Sequence, residues 1–582
     1  MVFESPAWAR ALPSVPLPDS ITVEEFMYSE KHGRKSLELS RNPYTCGLTG
    51  QTYTFAEVRE RVDSMARAIA KRLDWGVANG TEWEKVACVF SWNTIDYVPL
   101  THALHRLNAI ASPANAAYSV SELTHQLCSI SATVLFTCVP LLPVALEAAA
   151  AAAAAAKISQ DHIFILDMPG QTNNSRFVAL STLIDEGRRL PPLPPLRWVK
   201  EQGKRQVAYI CFSSGTSGLP KGVMLSHHNI ISNVALQVAY ETYGRKLAGV
   251  ETQVGLGVLP FSHIYGLVII SHSMPWRGDE VVVLPRYNLD QMLAAIQKYK
   301  IRHLPLVPPI AIQLLQNKSK CDLYDLSSIE WVSSGAAPLG AKTIESMQQK
   351  WPKWKVGQGY GLTESSPAVC VTSEHDILHG TSGSILLGTR CKVIDDDGRE
   401  VTELEKPGEL YVQSPNICLG YMNNAKATAE TFVWDEDGRW LRTGDVVVVR
   451  RSPLGAEHIV IVDRIKELIK VKGNQVAPAE LEAHLLSHPL VADCAIIPVP
   501  DDFAGEVPKA FVVKDVSTGN KSDEEVKTAI CKYVESHKAK YKWLQGGVQF
   551  IEAIPKSPSG KILRRVLQTR EKEKSAGVTP KL

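Results

Sequence analysis

Short apolar runs alternate with amphipathic stretches through most of the chain before Gly408. The apolar runs are rich in β-branched residues and predict strands, whereas apolar positions spaced three or four residues apart predict helices. Regular alternation of the two predicts parallel sheets covered by helices. The predicted strands lie at residues 86–90, 133–136, 164–166 and 281–284, and the clearest helices at residues 54–72 and 289–299.

The pattern changes after Gly408. Residues 409–413 and 446–450 alternate in the way that is typical of antiparallel strands joined by turns. A smaller unit follows Asp463, with a predicted helix at residues 479–487 and a predicted strand at residues 495–499. The charged stretch that begins at Asp463 is therefore expected to lie at a domain boundary.

Length and composition narrow the class of protein. A chain of 582 residues with 45% hydrophobic and 21% charged residues is expected to form several packed globular units. The formal net charge of +2 gives no global field toward nucleic acid or an anionic membrane, so we expect neither as a partner. The 11 cysteines are scattered without Cys-x-x-Cys pairs, which indicates reduced thiols and not disulfides or a zinc site.

The termini and the alanine run carry further expectations. Residues 1–20 lack the apolar core of a secretory signal, and no segment has the composition of a transmembrane span. Nine alanines at residues 148–156 predict the end of a surface helix. The final Pro580-Lys581-Leu582 is similar to the Ser-Lys-Leu peroxisomal address, so we expect recognition by a peroxisomal import receptor and, failing that, a cytoplasmic location.

The stretch at residues 209–222, YICFSSGTSGLPKG, combines three kinds of phosphate-binding group. Glycine amides, hydroxyl groups and the Lys221 ammonium can all donate to phosphate oxygens. The stretch is not a Walker loop, because Gly222 and an apolar run follow Lys221. Apolar runs on both sides predict a loop between two strands and disfavour the alternative of a flexible linker. The loop donors are Ser213, Ser214, Gly215, Thr216, Ser217 and Gly218.

Five further motifs follow this loop in a fixed order. They are GAAPL at residues 335–339, QGYGLTE at 358–364, TGD at 443–445, DRIKELIKVKG at 463–473 and PKSPSGKI at 555–562. With them the chain resembles, over nearly its whole length, the adenylate-forming superfamily of acyl-CoA synthetases, luciferases and peptide-synthetase adenylation domains. The resemblance is closest to fungal aryl-CoA ligases of the phenylacetyl-CoA ligase type and to plant 4-coumarate:CoA ligases.

This resemblance implies an α/β fold with a large N-terminal domain at residues 1–463. That domain would contain two helix-covered mixed sheets and a small β-barrel-like subdomain. A hinge with Lys466 at its centre would lead to a small, mobile α+β C-terminal domain at residues 464–582. A monomer or a homodimer is expected.

The resemblance also implies a two-step reaction. A carboxylic acid and ATP would give acyl-AMP and pyrophosphate with Mg²⁺ present, and coenzyme A would then displace AMP to give acyl-CoA. Two alternatives share most of the motifs: a luciferase-like enzyme, and a stand-alone adenylating enzyme with another acceptor. A catalytically inactive relative is disfavoured, because Lys221, Glu364, Asp445 and Lys561 are all present.

The nucleotide-binding residues are carried over from the family motifs. The loop and Lys221 would hold the β- and γ-phosphates, Thr363 would contact phosphate and Glu364 would help to hold magnesium. Asp445 would bind the ribose hydroxyls, with Arg464 beside it. The adenine would lie among Gly335, Ala336, Ala337, Gln358, Gly359, Tyr360 and Gly361.

Two sets of C-terminal residues would act in turn. Lys561 and Gln475 would act in adenylation, whereas Lys470, Lys472 and Gly473 would face the site during thioester formation. The alternative to a catalytic role for these lysines is that they form a solvated basic surface. We prefer that alternative for Arg564 and Arg565, which follow Lys561 in the sequence.

The acyl pocket is expected to be formed mainly by the segment after Pro260. His263 would lie beside the acid's carboxylate, and Ile269 occupies a position where coumarate ligases commonly bond a ring hydroxyl. Isoleucine cannot form that bond, so we expect an acid with an apolar far end: phenylacetic, cinnamic or a medium-chain fatty acid. The expected substrate contacts are His263, Ile264, Tyr265, Ile269, Gly335, Gly359, Pro367 and Ala368.

Overall fold

The computed structural model describes residues 2–77, 79–156, 158–213, 220–472, 474–501, 503–519, 521–557 and 560–575. The strands in these residues, β1 to β28 in chain order, are Phe3–Glu4, Tyr44–Cys46, Thr52–Tyr53, Val86–Phe90, Ile110–Ala114, Val134–Cys138, Ile163–Leu166, Val178–Ala179, Val207–Ser213, Lys221–Ser226, Val254–Gly257, Glu280–Val283, His303–Leu306, Trp331–Ser334, Lys355–Gly361, Ala368–Val371, Ser384–Ile385, Arg390–Ile394, Gly408–Gln413, Gly420–Tyr421, Phe432–Asp435, Gly438–Arg451, Glu457–Arg464, Ile469–Val471, Asn474–Val476, Val491–Asp501, Gly505–Lys514 and Val548–Phe550.

The α-helices in the same residues, α1 to α18, are Ala7–Arg10, Val23–Tyr28, Phe55–Leu73, Tyr97–Arg106, Val120–Ser129, Leu142–Ala151, Leu180–Arg188, Gln202–Arg205, His227–Leu247, Met274–Trp276, Leu289–Tyr299, Pro308–Gln316, Lys318–Cys321, Ala341–Lys350, Ala425–Thr431, Pro478–Leu485, Asp523–His537 and Arg564–Ser575. A π-helical segment, Tyr265–Ser273, runs directly into α10.

An eight-stranded sheet forms the first half of the N-terminal domain, in the order β20-β10-β9-β5-β4-β6-β7-β8. Its central strands are parallel, as the apolar runs predict, and β4, β5 and β6 are buried along their full length. β10 pairs with β9 in the antiparallel sense. The phosphate-loop stretch therefore does join two strands, although residues 214–219 lie outside the described residues.

A second sheet of fifteen strands begins as a parallel α/β sheet and continues as an antiparallel one. β12, β11, β13, β14 and β15 are parallel, and β15 then pairs with β16 in the antiparallel sense. The strands predicted after Gly408 are confirmed as β19 and β22, which pair with each other. The antiparallel region is thus hydrogen-bonded to the second parallel sheet and continues it.

The C-terminal residues form a separate α+β unit. β25, β24, β27 and β26 make a sheet in that order, and β28 adds to β27. Ile469, Leu481, Ile496 and Ile530 are fully buried in a core of their own. β23 of the large sheet ends at Arg464, and β24, the first strand of this unit, begins at Ile469.

Helix starts follow the expected side-chain chemistry. Thr54 and Glu57 form a capping box at the start of α3, and Ser522 and Glu525 form another at α17. In each box the hydroxyl and the carboxylate satisfy amide groups that the helix leaves unbonded. The predicted helix at residues 54–72 is confirmed with a shift of one residue.

The alanine run contains the end of a helix, as predicted, and it also contributes to the core. α6 ends at Ala151, and the side chains of Ala148, Ala149, Ala152 and Ala156 are buried beside the first sheet. Small side chains let this segment pack closely against the sheet and α5. The prediction of a helix end is therefore confirmed, with Ala150, Ala151 and residues 153–155 exposed, while the other four alanines belong to the core.

Two further expectations concern thiols and membranes. All eleven cysteines are free in the structure and nine are buried, and reduced thiols stay a prediction. No helix in the described residues is long and apolar enough to cross a membrane. The C-terminal tripeptide lies outside the described residues, so peroxisomal import stays a prediction.

Helices α3 and α7 pack across each other at Gly187. A Cβ atom added there would lie 1.8 Å from the backbone carbonyl oxygen of Ser64. Backbone cannot move aside as a flexible side chain can, so this crossing requires glycine.

We expect Gly187→Ala to destabilise the N-terminal domain by about 1–3 kcal/mol, because overpacking outweighs the ~1 kcal/mol that alanine contributes to an isolated helix. Urea unfolding measures the loss. Thr182→Ala, on the exposed side of the same helix, is the matched control. Equal or higher stability of Gly187→Ala would contradict this account of the crossing.

Candidate active site

A cavity of about 900 Å³ lies where the two large sheets and the C-terminal unit meet. Its walls contain Lys221 from β10, Tyr360 from β15, Glu364, Arg464 and Lys561. These residues are far apart in the sequence, and the fold alone brings them together. A concave site with converging charged groups is the usual setting for small-molecule chemistry.

Lys221 is the first residue of β10 and pairs across the ladder with Ser213. Both line the cavity. The ammonium nitrogen of Lys221 lies 4.7 Å from the centre of the Tyr421 ring, a cation–π contact that fixes the position of the charge. The predicted phosphate-binding lysine is thus held at the cavity wall.

Glu364 lies next to this lysine in the cavity and is largely buried. The Tyr421 hydroxyl donates to its Oε1 over 2.8 Å. Tyr421 reaches this place because β20 pairs with β10, where Tyr421 lies opposite Val223. Tyr421 could not be predicted from the sequence, since only the strand pairing connects it to Lys221.

The donor set at Glu364 fits a magnesium ion held jointly with ATP. The Glu364 carboxylate and the neighbouring Thr363 line the same wall of the cavity. Among the described residues no group of three or more histidine, cysteine, aspartate or glutamate side chains forms a metal cage. Magnesium commonly binds through one or two carboxylates together with substrate phosphates and water, and this set matches that pattern.

The nucleoside end of the cavity is organised around Asp445. The Tyr360 hydroxyl donates to Asp445 Oδ2 over 2.6 Å, and Arg464 Nε lies 3.3 Å from Oδ1. Asp445 is only 2% exposed, and burial raises the pKa of its carboxyl group. Asp445 lies behind Tyr360 and Arg464, whose side chains form the cavity wall.

The glycine-rich motifs shape the same end. Gln358 accepts a hydrogen bond from Leu339 N over 2.6 Å, which ties the GAAPL segment to β15. Gly335 and Ala336 line the cavity, whereas Ala337 lies beside them outside the wall. A Cβ atom at Gly361 would lie 1.8 Å from the Pro367 carbonyl oxygen, so only glycine fits where these two segments meet.

Lys561 and His263 face the middle of the cavity. Burial, with the positive charge of Arg464 nearby, lowers the pKa of Lys561 to about 8. Burial and the Lys561 ammonium lower the pKa of His263 to about 4. Tyr265 N donates to His263 Nδ1 over 3.3 Å, so the neutral ring carries its proton on Nε2 and acts as a donor.

Gln475, assigned to adenylation, and the lysines assigned to thioester formation lie outside the cavity. Lys470 and Gln475 pair across the β24–β25 hairpin and are both exposed. Gln475 Nε2 lies 3.4 Å from Asp396 Oδ2, and neither Gln475 nor Lys472 lines the cavity. Lys466 lies at the cavity edge, and Gly473 falls outside the described residues. The structure thus brings Lys561 to the site and leaves Gln475 and the second lysine set outside it.

Arg564 is not the solvated surface residue that the sequence suggests. Its guanidinium donates to both carboxylate oxygens of Glu482, over 2.8 and 2.7 Å, and lies 3.0 Å from Glu467. The Arg564 side chain is 13% exposed. The prediction was wrong because helix α18 turns this residue toward α16, and sequence spacing does not reveal that direction. Arg565 is exposed, as expected.

The acyl end is bounded by the π-helical segment and by β16. Ile269 packs with Ala368 and Val371, and Tyr265 lies against Gly335, where a Cβ atom would be 3.1 Å from its ring. Ile264 and Pro367 complete the expected lining, together with Gly359. The cavity lining also contains polar residues on and near α9, which packs against the π-helical segment, and the prediction of an apolar far end did not anticipate them. The polar residues there are Gln237, Glu241, Arg277 and His303.

Comparison with known proteins identifies the architecture. Residues 39–422 match the family described as AMP-binding enzyme, and residues 480–561 match the AMP-binding enzyme C-terminal domain. The chain is 38% identical to the acyl-CoA ligase cm3C of Cordyceps militaris, over 98% of this chain and 90% of that protein. It is 39% identical to the acyl-CoA ligase AKT1 of Alternaria alternata, over 98% of this chain and 97% of that protein.

Solved structures share the fold at lower identity. The anthranilate CoA ligase AuaEII, in complex with anthranoyl-AMP, superposes with a TM-score of 0.79 at 22% identity, over 96% of this chain and 99% of that chain. ATP-bound MatB from Rhodopseudomonas palustris superposes with a TM-score of 0.75, also at 22% identity, over 96% and 100%. These matches confirm the predicted fold.

We expect Arg564→Ala to lower the free energy of opening of α16 and α18 by about 3–5 kcal/mol, since it leaves the buried Glu482 carboxylate without its cation. Hydrogen exchange of peptides from these helices measures the change. Arg570→Ala, at an exposed position of α18, is the control. Exchange in Arg564→Ala within about 0.5 kcal/mol of that control would contradict the structural role of Arg564.

Proposed function

The chain belongs to the family of AMP-binding enzymes, and we propose that it activates a carboxylic acid with ATP in this cavity before passing the acyl group to coenzyme A. It is thus an AMP-forming acyl-CoA ligase, which is supported by the family match and by curated relatives named as acyl-CoA ligases that span almost its whole length. One observation supports the use of this cavity above others. Lys561 of the C-terminal unit faces the same space as Lys221, Glu364 and Arg464.

Adenylation is the step for which this arrangement is suited. A carboxylate oxygen of the acid attacks the α-phosphorus of ATP, the bond from that phosphorus to the bridging oxygen breaks, and pyrophosphate leaves. No protein base is needed, because the acid enters ionised. The Lys561 ammonium draws carboxylate and α-phosphate together, and the Nε2–H of neutral His263 donates to the carboxylate.

Binding of the nucleotide divides between the two ends of the cavity. Lys221, with the preceding loop, holds the β- and γ-phosphates as a leaving group. We propose that Tyr360 and Arg464 shift when ATP binds and that the ribose hydroxyls then donate to Asp445, because two hydrogen-bonding partners do not exhaust the acceptor sites of a carboxylate. Glu364 and Thr363 would hold Mg²⁺, which when bound neutralises phosphate charge.

Thioester formation requires a different arrangement of the C-terminal unit. The thiol sulfur of coenzyme A attacks the acyl carbonyl carbon, the bond to the AMP oxygen breaks, and the thiol proton passes to solvent. We propose that rotation about Lys466 withdraws Lys561 and brings Lys470 and Lys472 to the cavity. The exposure of both lysines in the present arrangement supports this proposal.

The acid itself is proposed from the shape of the pocket. The apolar stretch at Ile269, Ala368 and Val371 suits the body of an aryl or medium-chain acyl group. Pyrophosphate exchange that depends on the acid, measured across aryl and fatty acids and followed by detection of the CoA thioester, tests the function. Exchange with no acid would contradict it, and exchange without thioester would favour another acceptor.

Lys561→Ala is expected to slow adenylation by about 10²–10³-fold, because it removes a charge aimed at the reacting oxygens. Thioester formation from preformed acyl-AMP should change less than about tenfold. Lys470→Ala is the matched control and should show the reverse. Equal losses in both half-reactions for Lys561→Ala would contradict the two-arrangement assignment.

The rate of adenylation should depend on pH through Lys561. Its ammonium form is needed and is present below its pKa of about 8, so kcat/KM for adenylation should fall as pH rises through about 8. Lys561→Arg should remove this fall, since guanidinium stays charged. If kcat/KM of the wild-type enzyme and of Lys561→Arg changed in the same way as pH rises through about 8, the assignment would be contradicted.

A further inference from the structure

The inner end of the acyl pocket contains a polar cluster that adenylation does not use. It consists of Gln237 and Glu241 on α9, Arg277 just after α10, and His303 on β13, all of which line the cavity. Gln237 and Glu241 lie one helical turn apart and so present the same face. An acyl chain that extends past Ile269 would meet these groups.

The charges of this cluster balance. Arg277 donates to Glu241, and its Nε also donates to Asp279 over 2.8 Å. Arg245 binds both oxygens of Asp279, over 2.7 and 2.8 Å. Within this hydrogen-bonded set two guanidinium groups thus face two carboxylates, while burial lowers the pKa of His303 to about 3 and keeps that ring neutral. Glu374 interacts electrostatically with both guanidinium groups, and burial raises the pKa of its carboxyl group. A bound carboxylate or ammonium would upset this balance, whereas a neutral polar group would not.

The unused hydrogen-bonding capacity of the cluster is on the acceptor side. Glu241 Oε1 accepts from Gln237 Nε2 over 2.8 Å, and the Glu241 side chain is 24% exposed although Arg277 beside it is 5% exposed. Gln237 Oε1 is buried and has no hydrogen-bond partner in the part of the chain that the structure describes. A buried acceptor without a partner costs about 1–3 kcal/mol. A ligand that donates a hydrogen bond here would recover that loss.

We propose that the acid activated by this enzyme carries a hydroxyl group at the end remote from its carboxyl, and that Gln237 and Glu241 receive its hydrogen bond. A hydroxyl group is neutral and donates, which meets both conditions set by the cluster. A methyl terminus would instead cover the Glu241 carboxylate with apolar surface and leave Gln237 Oε1 unpaired. This inference rests on the proposed function and specifies its substrate.

The test compares matched acids. Straight-chain acids from hexanoic to hexadecanoic, and cinnamic acid, are each paired with the counterpart that carries a hydroxyl at the far end. At the preferred length we expect the hydroxylated acid to have the higher kcat/KM for acid-dependent pyrophosphate release, by a factor of about ten or more. An equal or higher value for the unsubstituted acid in every pair would overturn the inference while leaving the acyl-CoA ligase function intact. Turnover of no acid would overturn both.

Two variants locate the effect. Gln237→Leu should reduce the preference for the hydroxylated acid at least fivefold, chiefly through the KM of that acid. Thr242→Val on the same helix, whose hydroxyl bonds the Val238 carbonyl and does not line the cavity, should leave the preference unchanged. A purely structural role of Gln237 would lower kcat/KM for both acids of a pair equally, and that result would overturn the assignment to Gln237.

Discussion

Burial of the Lys561 ammonium between two domains is the interaction on which the active site depends. The large domain supplies phosphate-binding, metal-binding and ribose-binding groups, and it adds the cations Lys221, Arg277, Arg442 and Arg464 to the cavity lining. Lys561 arrives from a different folding unit. A buried ammonium is unfavourable by itself, as its lowered pKa shows, so incoming phosphate and carboxylate charges stabilise it.

The C-terminal unit is built to carry this lysine as part of a rigid body. Arg564, three residues further on, bonds Glu482 of α16 and Glu467 of the segment that enters the unit. Asp463 Oδ2, in β23 on the large-domain side of the hinge, accepts from Ala479 N at the start of the same helix over 2.9 Å, and this contact holds the unit in the present arrangement until rotation breaks it. The contacts of Arg564 connect the lysine-bearing segment to the hinge region. A rotation about the hinge would therefore move Lys561 without unfolding its support.

Much of this organisation could be predicted from the sequence. Apolar runs gave the strands β4, β6, β7 and β12, and the ordered motifs gave Lys221, Glu364, Asp445 and Lys561 as site residues, because each belongs to a local pattern. The roles of Tyr421, Arg564 and the cluster around Glu241 could not be predicted. Each depends on a strand pairing or a helix orientation that joins distant segments, and no local spacing encodes it. Ile269 alone suggested an apolar pocket, yet residues from α9 make its end polar.

The reactivity of individual lysines toward acetic anhydride, followed by mass spectrometry across pH, tests the placement of Lys561 most directly. The account predicts that Lys561 titrates near pH 8 in the free enzyme and is protected by a non-reactive acyl-adenylate analogue, while exposed Lys470 is not protected. The placement of Lys561 would be contradicted if its labelling followed the pH profile of an exposed lysine and proceeded at the same rate with and without the analogue.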